Sequence, residues 1–87
     1  MGGLYILASY SDVIIKRIGD ICEERNITIN KLATLAGMRQ STLSNLMNRY
    51  TQIPSLKTLH RVAVGLEMTV AELLDFPEMN HTIFDDE

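Results

Sequence analysis

Tryptophan is absent from this 87-residue chain, cysteine occurs once and proline twice. Each shortage excludes something. The lone Cys22 has no partner for an internal disulfide and sits in no Cys/His zinc spacing, which points to a reducing compartment, the cytoplasm. Few Pro and Gly, with Leu, Ile, Ala and Met recurring at helical spacings, exclude a disordered or low-complexity chain. No internal repeat is present. The run Leu4–Ala8 in "MGGLYILASY" lacks a basic flank and is too short for a signal-peptide core or a membrane span. Met1-Gly2 opens the myristoylation pattern, but Ile6 stands where Ser or Thr is needed. No membrane contact is therefore expected. A chain of this length makes one domain and buries only about 60% of its unfolded surface.

A second absence is local. Residues 25–66 contain no acid, while Arg25, Lys31, Arg39, Arg49, Lys57 and Arg61 give them a net charge of +6. Residues 1–24 carry −2 and residues 67–87 carry −7, so the overall −3 hides a segregated pattern. An acid-free basic middle implies a polyanion-binding face. His60 and His81 have no acidic or cysteine partner at ligand spacing, so no metal site and no cofactor are expected. Asp20, Glu23 and Glu24 read as a solvated helix face. Nothing assembles a nucleophile, a base and an orienting group, so no enzymatic activity is expected.

Hydrophobic periodicity divides the chain into five helices and no strand, an all-α bundle. The capping box Ser9-Tyr10-Ser11-Asp12 opens a first helix to about Arg25, with Ile14, Ile15, Ile18, Ile21 and Cys22 on its inner face. On that face Cys22 is a small core residue. Thr28 caps a second helix whose inner residues are Leu32, Leu35 and Ala36, with Ala33 allowing close helix contact. Gly37 supplies the positive φ of a sharp turn. A third helix follows from about Gln40 to Arg49, with Leu43, Leu46 and Met47 inward. After a loop over residues 49–54, Ser55 caps a fourth helix with Leu56, Leu59, Val62, Ala63 and Leu66 in the core. The capping box Thr69-Val70-Ala71-Glu72 opens a fifth, which Pro77 stops.

The outer face of the third helix carries Gln40, Ser41, Ser44, Asn45 and Asn48, without a carboxylate. Two short helices joined at a Gly, the second one exposed, make a helix-turn-helix. "ITINKLATLAGMRQSTLSNLMNR" followed by "IPSLKTLHRVAVGLEMTVAELL" resembles the Cro- and lambda-repressor-type helix-turn-helix domains, the xenobiotic-response-element family, over roughly residues 13–75. The resemblance rests on an ordered set: Leu32-Ala33, Gly37, the "QSTLS" of the third helix, Pro54-Ser55, Ala63-Val64-Gly65-Leu66 and "TVAELL".

That resemblance implies a compact five-helix bundle that puts its third helix in the major groove of double-stranded DNA, with the second helix across the backbone. Gln40, Ser41 and Asn45 then fall on the family's main base-reading positions, with Ser44 the next nearest. Amide side chains suit this task, because they pair with adenine through two hydrogen bonds. Lys31, Arg49 and Lys57 flank the third helix in sequence as phosphate contacts; Tyr50 reads equally as a phosphate donor or a plain surface-loop residue. Three departures from the family pattern stand out. Ile29 replaces a Gln that often binds phosphate, leaving Thr28 or Asn30 as substitutes. Arg39 replaces the usual Ser or Thr cap of the third helix, where it cannot accept from first-turn amides and opposes the helix dipole. A local rule broken there suggests that Arg39 contacts DNA, at a phosphate or a guanine edge. Glu67 stands where the family favours Gly.

The expected division is an arm or tail over residues 1–8, a DNA-binding domain over 9–76 and an acidic C-terminal tail over 77–87. The resemblance further implies a homodimer on a palindromic operator. Leu74, Phe76, Met79, Ile83 and Phe84 are candidate interface residues, each reading equally as ordinary packing of the chain end. The Leu4–Leu7 run reads equally as an arm crossing to a partner, a disordered tail, or the result of a start site set too far upstream. The expected function is that of a small transcriptional regulator, a repressor. The alternative is an antitoxin or protein-interaction module that engages a protein partner through the acidic tail.

Overall fold

Ile14, Ile15, Ile18, Ile21 and Cys22 return to one side of the chain every three or four residues, and all five are buried along α1 (Tyr10–Glu24). The computed structural model describes residues 10–48 and 53–81. Within them α1 is followed by α2 (Ile29–Ala36), α3 (Gln40–Asn48), α4 (Leu56–Gly65), α5 (Val70–Leu74) and α6 (Pro77–His81). No strand occurs among the described residues. The α2 helix packs chiefly on α4 and α3, α5 packs on α4, and α1 bridges α2 and α6. Ile18, Leu32, Leu43, Val62, Leu66 and Leu73, drawn from α1 to α5 and the end of α4, are fully buried in one shared core.

The helix starts follow the expected chemistry. Thr28 Oγ1 accepts from the Lys31 amide at 3.0 Å, and Ser55 Oγ accepts from Thr58 at 3.2 Å. At α5 the capping box is complete: Thr69 Oγ1 accepts from the Glu72 amide at 3.0 Å, and Glu72 Oε1 accepts from the Thr69 amide at 2.9 Å. The box expected at Ser9 lies outside the described residues.

Three helices stop by one device. Asn26 (φ 58°), Gly37 (φ 70°) and Glu67 (φ 58°) each take the left-handed conformation just past a helix. The next residue then donates its amide back across the last turn: Ile27 to Cys22 O at 3.0 Å, Met38 to Ala33 O at 2.9 Å and Met68 to Ala63 O at 2.8 Å. Ile27, Met38 and Met68 are the residues that follow, and all three pack partly buried against the core. Each stop therefore satisfies orphan carbonyls and also anchors an apolar side chain.

Four expectations need correction. Leu35 is 46% exposed, because at about 100° per residue it lies roughly a quarter-turn from the centre of the Leu32, Ala33 and Ala36 stripe. Leu56 is 69% exposed; it is the first residue of α4, on the flank of the stripe formed by Leu59, Val62, Ala63 and Leu66. Pro77 does more than stop α5. It is the first residue of a sixth helix, a position where its missing N–H removes nothing, and Asn80 N donates to Phe76 O at 3.0 Å. The segment expected to be a tail thus begins with α6, which packs on α1. Finally, Phe76 is only 7% exposed and belongs to this chain's own core, so it has little surface for a second copy. Arg17 lies over its ring at 5.2 Å and donates to Leu73 O and Glu72 O, both at 3.0 Å, tying α1 to the end of α5.

Cys22 is buried, and that burial raises its pKa above the ordinary thiol value while nearby Arg25 partly offsets the rise. The thiol is neutral at pH 7, as a packing group should be.

Candidate nucleic-acid interface

The turn Gly37-Met38-Arg39 joins α2 to α3. Leu43 anchors α3 from below, with Leu46 and Met47 half-buried on the same side. At about 100° per residue, Ser41, Asn45 and Asn48 lie opposite these, while Gln40 and Ser44 form one flank and Thr42 the other. Gln40, Ser41, Thr42, Asn45 and Asn48 are exposed. Ser44 is half-buried, and its hydroxyl accepts from Asn48 Nδ2 at 3.3 Å. No acid stands anywhere on α3. Its surface therefore offers hydroxyls and amides that both donate and accept, with no charge repelling an anion.

At the start of α3, the Arg39 carbonyl accepts from Thr42 at 3.1 Å and Leu43 at 3.2 Å. Its side chain has only donors, so the first-turn amides gain no side-chain cap from it. The Thr28, Asn30 and Lys31 side chains cluster on the exposed first turn of α2. Thr28 accepts the Lys31 amide with its hydroxyl oxygen, which leaves its O–H to donate elsewhere. Ile29 is half-buried against the core and takes no place on that surface. Lys57 is exposed on the first turn of α4. Leu74 and Met79 are half-buried against the core. Arg49, Tyr50, Ile83 and Phe84 lie outside the described residues.

Two adjoining grooves run between α3 and α4. One, of about 640 Å³, is lined by Asn45, Thr42, Ile53 and Ser55 among others. The other, of about 450 Å³, brings Arg39, Lys57 and Arg61 together with Thr42 and Thr58. They share Met38, Thr42 and Thr58. Thr42 and Arg61 are thus residues of this surface that the sequence reading passed over. Arg61 had one available signal, its membership of the acid-free basic run, but 22 residues of chain separate it from Arg39. Thr42 sits one helical step off the stripe, and its place in both grooves comes from the neighbouring α4. Among the described residues the ion pair found is Lys16–Asp20 on α1, so none of Lys31, Arg39, Lys57 or Arg61 is neutralised by a carboxylate there.

A tight helix–turn–helix whose second helix is exposed and acid-free, set on a small helical core, is a helix-turn-helix DNA-binding domain. The chain belongs to the Cro/C1-type HTH DNA-binding domain family, whose pattern matches residues 17–78. Over 65 residues it is 32% identical to the SPbeta prophage-derived uncharacterized HTH-type transcriptional regulator YopS of Bacillus subtilis (strain 168), covering 74% of this chain and 86% of that protein. Double-stranded DNA is therefore the ligand of this domain. No helix among the described residues is long and apolar enough to cross a membrane.

Proposed function

We propose that the protein is a cytoplasmic transcriptional regulator that reads a specific duplex sequence with α3 and acts as a repressor by covering a promoter. The observation that carries this reading is the exposed, carboxylate-free face of Gln40, Ser41 and Asn45. Inserted in the major groove, Gln40 and Asn45 each offer a donor and an acceptor to an adenine edge, worth about 1–3 kcal/mol of discrimination per bidentate pair. Ser41 and Ser44 add shorter-range contacts. Thr28, Asn30, Lys31 and Lys57, together with Arg49 and Tyr50, hold the sugar-phosphate backbone and set the register. Similarity to a protein named as a transcriptional regulator supports the regulatory role. A footprint this small favours a homodimer on a palindrome, with half-sites about one DNA turn apart.

Selection of duplexes from a randomised pool at two salt concentrations tests this, with a Gln40→Ala/Asn45→Ala variant alongside. An enriched palindrome that the variant loses is the expected result. Binding without an enriched motif, unchanged in the variant, would reduce the surface to an electrostatic one. The net −7 of residues 67–87 supports a second reading, in which this segment engages a basic protein partner, as an antitoxin would. Truncation after His81 keeps α6 and separates the two, since loss of a partner with duplex binding intact would assign the end of the chain to protein contact.

A further inference from the structure

Lys57 and Arg61 stand four residues apart on α4, so two like charges are neighbours on one helix face, a pairing that weakens a helix by about 0.2–0.5 kcal/mol. Arg39 adds a third cation to the same groove from the start of α3, where it also leaves the helix without a side-chain cap and opposes the helix dipole. None of the seven residues lining this groove is acidic. Two local rules are therefore broken at one spot, and no carboxylate among the described residues pairs with any of the three cations. A bound anion would offset both costs.

The groove is organised as well as charged. Arg61 Nη1 donates to Gly37 O at 3.4 Å, which holds its guanidinium against the turn between α2 and α3. One of its five N–H groups is used, leaving four to offer outward. Thr42 and Thr58, one on each wall, carry hydroxyls suited to a phosphate oxygen. Its volume of about 450 Å³ admits a phosphate with part of its sugar. Through Met38, Thr42 and Thr58 it opens directly into the groove lined by Asn45.

We propose that Arg39, Lys57 and Arg61 form a phosphodiester clamp beside α3, which grips the backbone of the strand whose base edges α3 reads. This rests on the DNA-binding reading above and deepens it. It adds Arg61 to the DNA contacts, and it assigns Arg39 to the backbone instead of a guanine edge. An α3 without its cap is tolerated because the residue in the cap position serves the clamp.

The test measures affinity for the selected duplex and for a scrambled duplex of equal length, between 50 and 200 mM salt. Wild type is compared with Arg39→Gln, Arg61→Gln, the double variant, and Asn45→Ala. All three cations are exposed, and a thermal melt of each variant checks that the fold is kept. Each clamp variant is expected to weaken binding to both duplexes by the same factor. The double variant should flatten the plot of log affinity against log salt by at least about 0.9. Preference for the selected duplex should be unchanged in the clamp variants and lost in Asn45→Ala. A lowered preference in Arg39→Gln would place it at a base edge, and an unaltered salt slope in the double variant would remove the clamp; either overturns the proposal while base reading by Asn45 stands. Failure of wild type to prefer the selected duplex would instead sink the underlying reading. A free anion is the competing source of phosphate. If millimolar inorganic phosphate at constant ionic strength displaced the duplex and raised the melting temperature of wild type but not of Arg61→Gln, the groove would belong to a small anion and the proposal would fail.

Discussion

Glu67 takes φ 58° at the end of α4, where a side chain crowds the following carbonyl and glycine would not. Its amide still donates to Val64 O at 3.0 Å, so the turn is well bonded and the strain is confined to one residue. Glu67→Gly should raise stability by about 1 kcal/mol. In a domain of this size that is about 4–8 °C in melting temperature, measured by calorimetry with duplex affinity followed in parallel. Asn26 carries the same geometry at the end of α1 with less strain, since Asn tolerates the left-handed region. Gly65 presents the opposite case. A Cβ there would meet Ala36 N at 2.9 Å and Ala36 Cα at 3.1 Å, so α4 could no longer lie as close to α2. Gly65→Ala should therefore lose about 1–2 kcal/mol in urea melts, an overpacking penalty that outweighs the roughly 1 kcal/mol of helix propensity gained.

Helix α3 is held by its neighbours more than by its own ends. Six helix starts or stops among the described residues carry a Thr or Ser cap or a left-handed turn with an apolar anchor, whereas the α3 start has a cation in the cap position. Arg39→Ser should raise stability by about 0.5–2 kcal/mol, read by chemical denaturation, and weaken duplex binding in the same protein. Stability gained with no loss of affinity would argue against any DNA contact by Arg39. At the other end of the molecule, α5 and α6 have only five residues each and cannot stand alone. They are fastened to α1 by Arg17, through two carbonyls and the face of Phe76. Arg17→Met keeps much of the aliphatic stem but removes those bonds. It should cost about 2 kcal/mol, with amide exchange accelerated first in α5 and α6.

Charge is arranged across the whole molecule so that net charge misleads. The chain carries −3, yet the basic residues of 25–66 outnumber acids there six to none. Duplex affinity should consequently fall as salt rises, as for a basic protein. The acids of the C-terminal segment act against it, since Asp85, Asp86 and Glu87 repel phosphates at long range. Truncation after His81 should tighten binding to a scrambled duplex at 50 mM salt. The gain should shrink at 0.5 M, where screening lengths drop to about 4–5 Å. Fluorescence anisotropy at the two salt concentrations measures it directly.

By itself the sequence determined what depends on neighbours along the chain. Periodicity placed α1 to α4 within a residue or two. Thr28, Ser55 and the Thr69–Glu72 box were legible as caps because capping joins residues three apart. Gly37 was legible because only a few residue types take a positive φ cheaply. The polar, acid-free face of α3 could be read for the same reason, since one helix contains it. Tertiary structure decided the rest. Leu35 and Leu56 look like core residues until neighbouring helices show where burial ends. Phe76 is apolar near a chain end, and only its packing under Arg17 assigns it to the core. Pro77 is both the barrier to one helix and the start of another, a choice settled by the packing of α6 on α1. Arg61 joins Arg39 and Lys57 because α2 and α4 pack closely through Ala36 and Gly65, a contact between residues far apart in sequence that no local pattern encodes.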